Sequence, residues 1–169
     1  MNKLALTLCL SIILLACDEE KQRPAVDFNN WEKRTLTQAV SDSLEQGTSY
    51  LSVYSEIYHQ TEQNSYDLTV SVSMRNTSLS DSIYIDKATY YNTSGELIHT
   101  YFDQTIFIAP LETVEIVIDE ADRSGGTGAN FLFDWRIKPG GMEPLFEGVM
   151  ISTYGAQGLS FTTQGLRIK

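Results

Sequence analysis

Cysteine and histidine are almost absent from this chain of 169 residues: Cys9, Cys17, His59 and His99 are the whole complement. A disulfide framework needs several thiols, so the fold has to hold by packing. Zinc would have to be held largely by carboxylates, which suit it poorly. No metal or cofactor is expected, and each histidine reads as a partly packed strand residue. Cations are scarce too. Twelve Lys and Arg face 22 Asp and Glu, a formal net charge of −10. Such a field repels phosphates, so nucleic acid is not an expected partner. The signatures GxSxG, HExxH and SxxK are also missing, and with them the nucleophile elbow, the zincin helix and the serine–lysine pair. No catalytic residue is assigned. A small hydrolase using carboxylates, such as Glu143 with Glu147 beside Asp134, stays open as the enzymatic alternative.

The N-terminus is the apolar exception. Lys3 precedes a run from Leu4 to Leu15 broken only by Thr7, Cys9 and Ser11, which has the form of an export leader. It is too short to cross a bilayer, which takes about 20 apolar residues. The run ends in Leu14, Leu15, Ala16 and Cys17, which resembles the lipobox of bacterial lipoproteins. That resemblance implies cleavage after residue 16, a diacylglyceryl group on the Cys17 thiol and usually a further acyl chain on the new N-terminus. Each buried methylene contributes about 0.8 kcal/mol, so two or three chains hold firmly where one would not. Cleavage removes a single cation, Lys3, and leaves the remainder still more acidic.

Residues 1–16 therefore read as a signal peptide, 17–47 as a lipidated tether with a short helix, and 48–169 as one domain. The segment DEEKQRPAVDFNN after Cys17 is charged and contains Pro24, the composition of a spacer. Asp18, Glu19 and Glu20 resemble an acidic surface-export signal, whereas an Asp directly after the cysteine resembles an inner-membrane retention signal. The expected location is the cell envelope, with the outer membrane or cell surface favoured over the inner membrane.

Leu36, Val40 and Leu44 recur every four positions between Trp31 and Glu45, and Asn30 can cap the start, which predicts a short amphipathic helix. Thr35, Thr37, Ser41 and Ser43 weaken it, and Gly47 is read as its end. From Thr48 the period changes to two. Tyr66, Leu68, Val70, Val72 and Met74 alternate with polar residues, as in a strand with one buried face. Similar runs cover 50–58, 82–91, 96–102, 105–109, 113–118, 130–137, 146–154 and 159–168, separated by turn-rich segments such as RNTSLSD, YNTSGE, KPGGMEP and YGAQG. No long helix is present to carry parallel crossovers. Eight or nine antiparallel strands predict an all-β, immunoglobulin-like sandwich. Asn76 and Asn92, each heading an NTS triplet, are read as turn-formers rather than glycan acceptors.

The segment SGGTGANFLFDW, Ser124 to Trp135, poses the question of a phosphate loop. A P-loop needs Lys and Ser or Thr after its last glycine and then a helix. Here Ala129, Asn130 and an aromatic strand follow, with Asp119, Glu120 and Asp122 just upstream. The preferred reading is structural: Gly125, Gly126 and Gly128 supply positive φ, and Asn130 braces the loop. A ligand or calcium loop built on Asp122, Ser124, Gly125, Gly126, Gly128 and Asn130 is the alternative, without the spacing of an EF-hand.

VYSEIYH at Val53 to His59, the SMRNTS and YYNTSGELI segments, SGGTGANFLFDW and AQGLSF at Ala156 to Phe161 together resemble domain of unknown function 3124, a family of small exported bacterial proteins. The resemblance spans about Tyr50 to Ile168. It implies one compact domain and carries no activity or catalytic residues. Functional expectation rests instead on aromatics: Tyr84, Tyr90, Tyr91, Tyr101 and Phe102 crowd two neighbouring strands. Rings on a sheet face can stack on sugars or anchor a protein, although aromatics also favour strands for packing alone. The expected partners are the membrane, through the lipid, and an envelope protein or glycan. Trp135 shares a face with Phe131 and Phe133 and is expected in the core.

Overall fold

The computed structural model describes residues 31–37, 41, 43–153 and 158–169. The leader, Cys17 and the other residues before Trp31, positions 38–40 and 42, and Tyr154–Gln157 lie outside the described residues.

Among the described residues, twelve strands follow one short helix: α1 (Trp31–Arg34), β1 (Glu45–Val53), β2 (Glu56–His59), β3 (Thr61–Asp67), β4 (Thr69–Arg75), β5 (Ile83–Tyr91), β6 (Leu97–Phe102), β7 (Ile106–Ile108), β8 (Thr113–Ile118), β9 (Ala129–Ile137), β10 (Leu145–Ser152), β11 (Leu159–Gln164) and β12 (Leu166–Arg167). A 3-10 turn, Gly126–Gly128, leads into β9. All pairings are antiparallel. The first sheet runs β12-β1-β9-β5-β6, with β7 sharing the β6 edge of β5; the second runs β11-β10-β4-β8; β2 and β3 form a separate hairpin. The fold is an open, all-β antiparallel sandwich.

The excess over eight or nine strands comes from splitting. The run 50–58 breaks at Tyr54 and Ser55 into β1 and β2, the run from Tyr66 to Met74 breaks at Leu68 between β3 and β4, and the run 159–168 breaks at Gly165. Gly165 donates its N–H to Phe146 O in the second sheet, while the next residue, Leu166, pairs with Tyr50 in the first. The chain therefore changes sheets at this residue. A Cβ there would stand 2.9 Å from Phe146 Cβ, a spacing only glycine avoids.

Alternation fills the space between the sheets. In β9 every odd residue, from Ala129 through Phe131, Phe133 and Trp135 to Ile137, is buried, and in β4 Val70, Val72 and Met74 face it from the other layer. Phe133 stacks on Phe146 of β10 with ring centroids 4.3 Å apart and planes 4° from parallel, which joins the two sheets at their centre. Aromatic pairs of this kind add about 0.5–1.5 kcal/mol beyond burial. Trp135 is buried as expected and donates its Nε1–H to Ser49 Oγ at 2.9 Å. Asn76 and Asn92 also behave as read: the Oδ1 of each accepts the N–H two residues on, from Ser78 and Ser94 respectively.

Among the described residues, the short helix predicted between Trp31 and Glu45 is present as one turn, α1. Thr35 Oγ1 donates to Trp31 O, Thr35 bridges to Ile106 and Leu36 N–H donates to Thr105 O, so the backbone leaves the helix to pair with the β7 region. A hydroxyl competing for the helical carbonyl and an available strand edge outweigh weak helix propensity. Val40 lies outside the described residues. Gly47, read as the end of that segment, lies inside β1 opposite Trp135.

Candidate functional site

The glycine loop sits at one end of the sandwich, and hydrogen bonds fasten it there. Gly126 O accepts from Ser55 N–H, and Gly125 O accepts from both the N–H and the Oγ1–H of Thr93. Asp122 Oδ1 accepts Ser124 N–H at 2.9 Å, and Arg123 pairs with Asp67. The expectation of positive φ at all three glycines holds at Gly126 alone, with φ of 70°. Gly125 has φ of −71° and serves close approach instead: a Cβ there would lie 1.9 Å from Tyr90 Oη and 2.6 Å from Ser55 Oγ. At Gly128 a Cβ would make only ordinary contact with Thr93, at 3.4 Å. The bracing predicted for Asn130 comes from Thr93 and Ser55, because Asn130 is already a β9 residue paired with Ser52 and Tyr91.

The four tyrosines do not form one face. Bulges in the register decide this: pairing of β5 with β9 skips Asp86, and pairing of β5 with β6 skips Tyr101 and Ile98. A skipped residue shifts the alternation, so Tyr90 turns inward, where it is 1 % exposed and stacks on Phe131 at 4.8 Å. Tyr101 also leans on Phe131, at 5.6 Å, and Phe102 is buried under Trp31. Burial pushes the Tyr101 hydroxyl up to about 12, helped by the neighbouring Tyr90 and Asp122. Tyr90 is raised by burial and by Asp122 against the Ser55 hydrogen bond, which lowers it. Both shifts keep the phenols neutral, the wrong direction for a base or nucleophile. Tyr84 and Tyr91, half-buried, remain on the outer face of the first sheet with Tyr50, which is 37 % exposed.

That outer face carries a cleft of about 450 Å³. Thr48 of β1, Asp134 of β9 and Lys87 of β5 occupy one row across the three strands. Gln46 and Lys169 close one side, while Asp86 and Asp103 close the other. Thr48 Oγ1 donates to Asp134 Oδ1 at 2.7 Å. Asp86 is held by Arg136 Nε at 2.6 Å and Thr105 Oγ1 at 2.7 Å. Of these residues the sequence singled out only Asp134. The outward half of the period-two pattern contained the signal at Thr48, but Thr48 and Asp134 meet across 86 positions by a pairing that no local pattern encodes.

The proposed carboxylate set is dispersed. Glu147 pairs with Arg75 at 2.7 Å on the outer face of the second sheet, and Glu143 pairs with Arg167 at the β12 edge of the first. Asp134 lies on the opposite outer face from Glu147. His59 stacks on Tyr66 at 4.0 Å and His99 packs edge-on to Tyr101 at 4.7 Å. Beside His59, a smaller cleft of about 220 Å³ includes Asp67, Glu120 and Arg123. Among the described residues no group of three or more His, Cys, Asp or Glu side chains is arranged to hold a metal ion.

Two open antiparallel sheets packed face to face define a sandwich-type domain of the all-β class. The chain belongs to the family described as Protein of unknown function (DUF3124), whose model matches residues 46–168. No curated protein matches it. Among solved structures it is similar to the "Crystal Structure of Thermotoga maritima 1070", at 9% identity and a TM-score of 0.44, over 71% of this chain and 92% of that chain.

Proposed function

We propose that this protein is a lipid-anchored binding module of the bacterial cell envelope that presents the outer face of its first sheet to a partner. The observation that carries the reading is the contrast between the two candidate surfaces. The glycine loop has its Gly125 and Gly126 carbonyls engaged by Thr93 and Ser55, whereas the sheet face combines half-buried tyrosines with a polar cleft. A cleft with a few convergent polar groups is the usual form of a ligand site. The leader and Cys17 support attachment through lipid, with the outer membrane or cell surface as the favoured location. The segment 17–47, read as a tether to a domain from residue 48, has its later part docked on that domain: Trp31 packs on Phe102, Thr35 bridges to Ile106, and Gln46 and Gly47 belong to β1.

Two comparisons test this. Cys17→Ser should move the full-length chain from the detergent phase to the aqueous phase in a phase-partition assay; equal partitioning of variant and wild type would remove the anchor from the account. Full-length wild type should retain a component of envelope extracts that Lys87→Glu loses. Identical retention by both would mean that the binding face lies elsewhere.

A further inference from the structure

We infer that the cleft on the outer face of the first sheet binds a saccharide, gripping neighbouring hydroxyls between Lys87, Asp103 and Asp134. This inference rests on the binding reading above and names its ligand class.

The charge balance of the cleft selects the ligand. Asp86 is neutralised by Arg136 and Thr105. The charged side chains left are the carboxylates of Asp103 and Asp134 and the ammonium of Lys87, with Lys169 lining the edge, where its O accepts Thr48 N–H. Both signs of charge therefore line the cleft. An ion of either sign meets repulsion there as well as attraction. A hydroxyl suits both signs, because it donates to a carboxylate and accepts from an ammonium. Two hydroxyls on adjacent carbons can therefore satisfy an Asp and a Lys together, and hydrogen bonds to charged groups are the stronger kind.

Geometry supports the same class. Asp134 Oδ1 accepts from Thr48, and its carboxylate has a second oxygen with which to accept from a ligand. Gln46 adds an amide that both donates and accepts. Two positions along β1 from Thr48, on the same side of the strand, stands Tyr50 at 37 % exposure, opposite Leu132. An amphipathic ring next to a polar cleft offers the C–H face of a sugar an apolar surface while its hydroxyls turn to the charged groups. The volume, about 450 Å³, falls within the range of small-molecule sites, about 300–1,000 Å³.

The test presents the fluorescently labelled full-length protein, in mild detergent, to an array of neutral, amino-, sulfated and phosphorylated oligosaccharides. Retention on neutral oligosaccharides, reduced at least tenfold in Lys87→Ala and in Asp103→Asn at unchanged melting temperature, is the expected result. Neutral-sugar binding left intact by both substitutions overturns the assignment of the cleft, and retention only on charged glycans overturns the neutral-hydroxyl argument. If the array is blank, Lys87→p-benzoylphenylalanine photo-crosslinking in envelope extracts separates the two claims. Capture of a protein overturns the saccharide and leaves the binding reading standing; no capture overturns both.

Discussion

Trp135 lies so close to Gly47 that a Cβ on the glycine would stand 2.2 Å from the indole Cζ2. The two residues face each other across β1 and β9, and the missing side chain on one strand makes room for the large one on the other. Above the ring lies Arg167, with its Cζ 5.0 Å from the ring centroid, paired with Glu45 and Glu143. The indole is thus enclosed by a glycine, a serine hydrogen bond and a guanidinium. Gly47→Ala should cost about 1–3 kcal/mol by overpacking, and Trp135→Ala about 3–5 kcal/mol by leaving a cavity. Urea unfolding monitored by far-UV circular dichroism measures both, and a Gly47→Ala midpoint equal to wild type would contradict the packing described.

The glycine loop should show a graded response to alanine. Gly125→Ala should be the most damaging, since Tyr90 Oη and Ser55 Oγ occupy the space that a Cβ needs. Gly126→Ala should cost about 1 kcal/mol for its positive φ, and Gly128→Ala should be nearly neutral. Urea midpoints ordered in this way identify the loop as structural. Unchanged midpoints for Gly125→Ala and Gly126→Ala, together with lost partner retention, would make it the functional site.

Alkaline pH should weaken the fold through its buried phenols. Tyr101 titrates at about 12 in the folded chain and near its ordinary value of 10 when unfolded, so the unfolded state releases its proton first. The stability from keeping this phenol neutral is complete below pH 10 and is lost as pH rises towards 12. Phenolate absorbance should show a fraction titrating later than the exposed tyrosines, and Tyr101→Phe should flatten the stability decline between pH 10 and 12. A decline of the same slope in the variant would remove Tyr101 as its cause.

The guanidinium cap predicts a spectroscopic change. Arg167→Ala should lower the urea midpoint and shift tryptophan emission to longer wavelength as water reaches the Trp135 ring. Emission identical to wild type would show that the cap does not shield the indole.

Period-two alternation and turn chemistry carried most of the fold, because burial of one strand face is written locally in residues such as Val70, Val72 and Met74. Three features escaped that reading. Bulges at Asp86, Tyr101 and Ile98 shift side chains between faces without a sequence mark, so Tyr90 and Tyr101 pack on Phe131 instead of joining Tyr84 and Tyr91 on the outer face. Gly125 and Gly47 are required by Tyr90 and Trp135, partners far along the chain, rather than by their own φ. The cleft joins residues from β1, β5, β9 and the β6–β7 turn, and this assembly exists only after long-range pairing. Loop closure without regular spacing leaves no periodic signal.

In the proposed binding mode the outer face of the first sheet, not the glycine loop, meets the ligand. An amide chemical-shift map of the isotope-labelled full-length chain, titrated with soluble neutral oligosaccharides released from the envelope, tests it most directly. Perturbations should cluster at Gln46–Thr48, Lys87, Asp103 and Asp134, with residues 122–128 unmoved. Perturbations confined to 122–128 and the β2–β3 hairpin would contradict it.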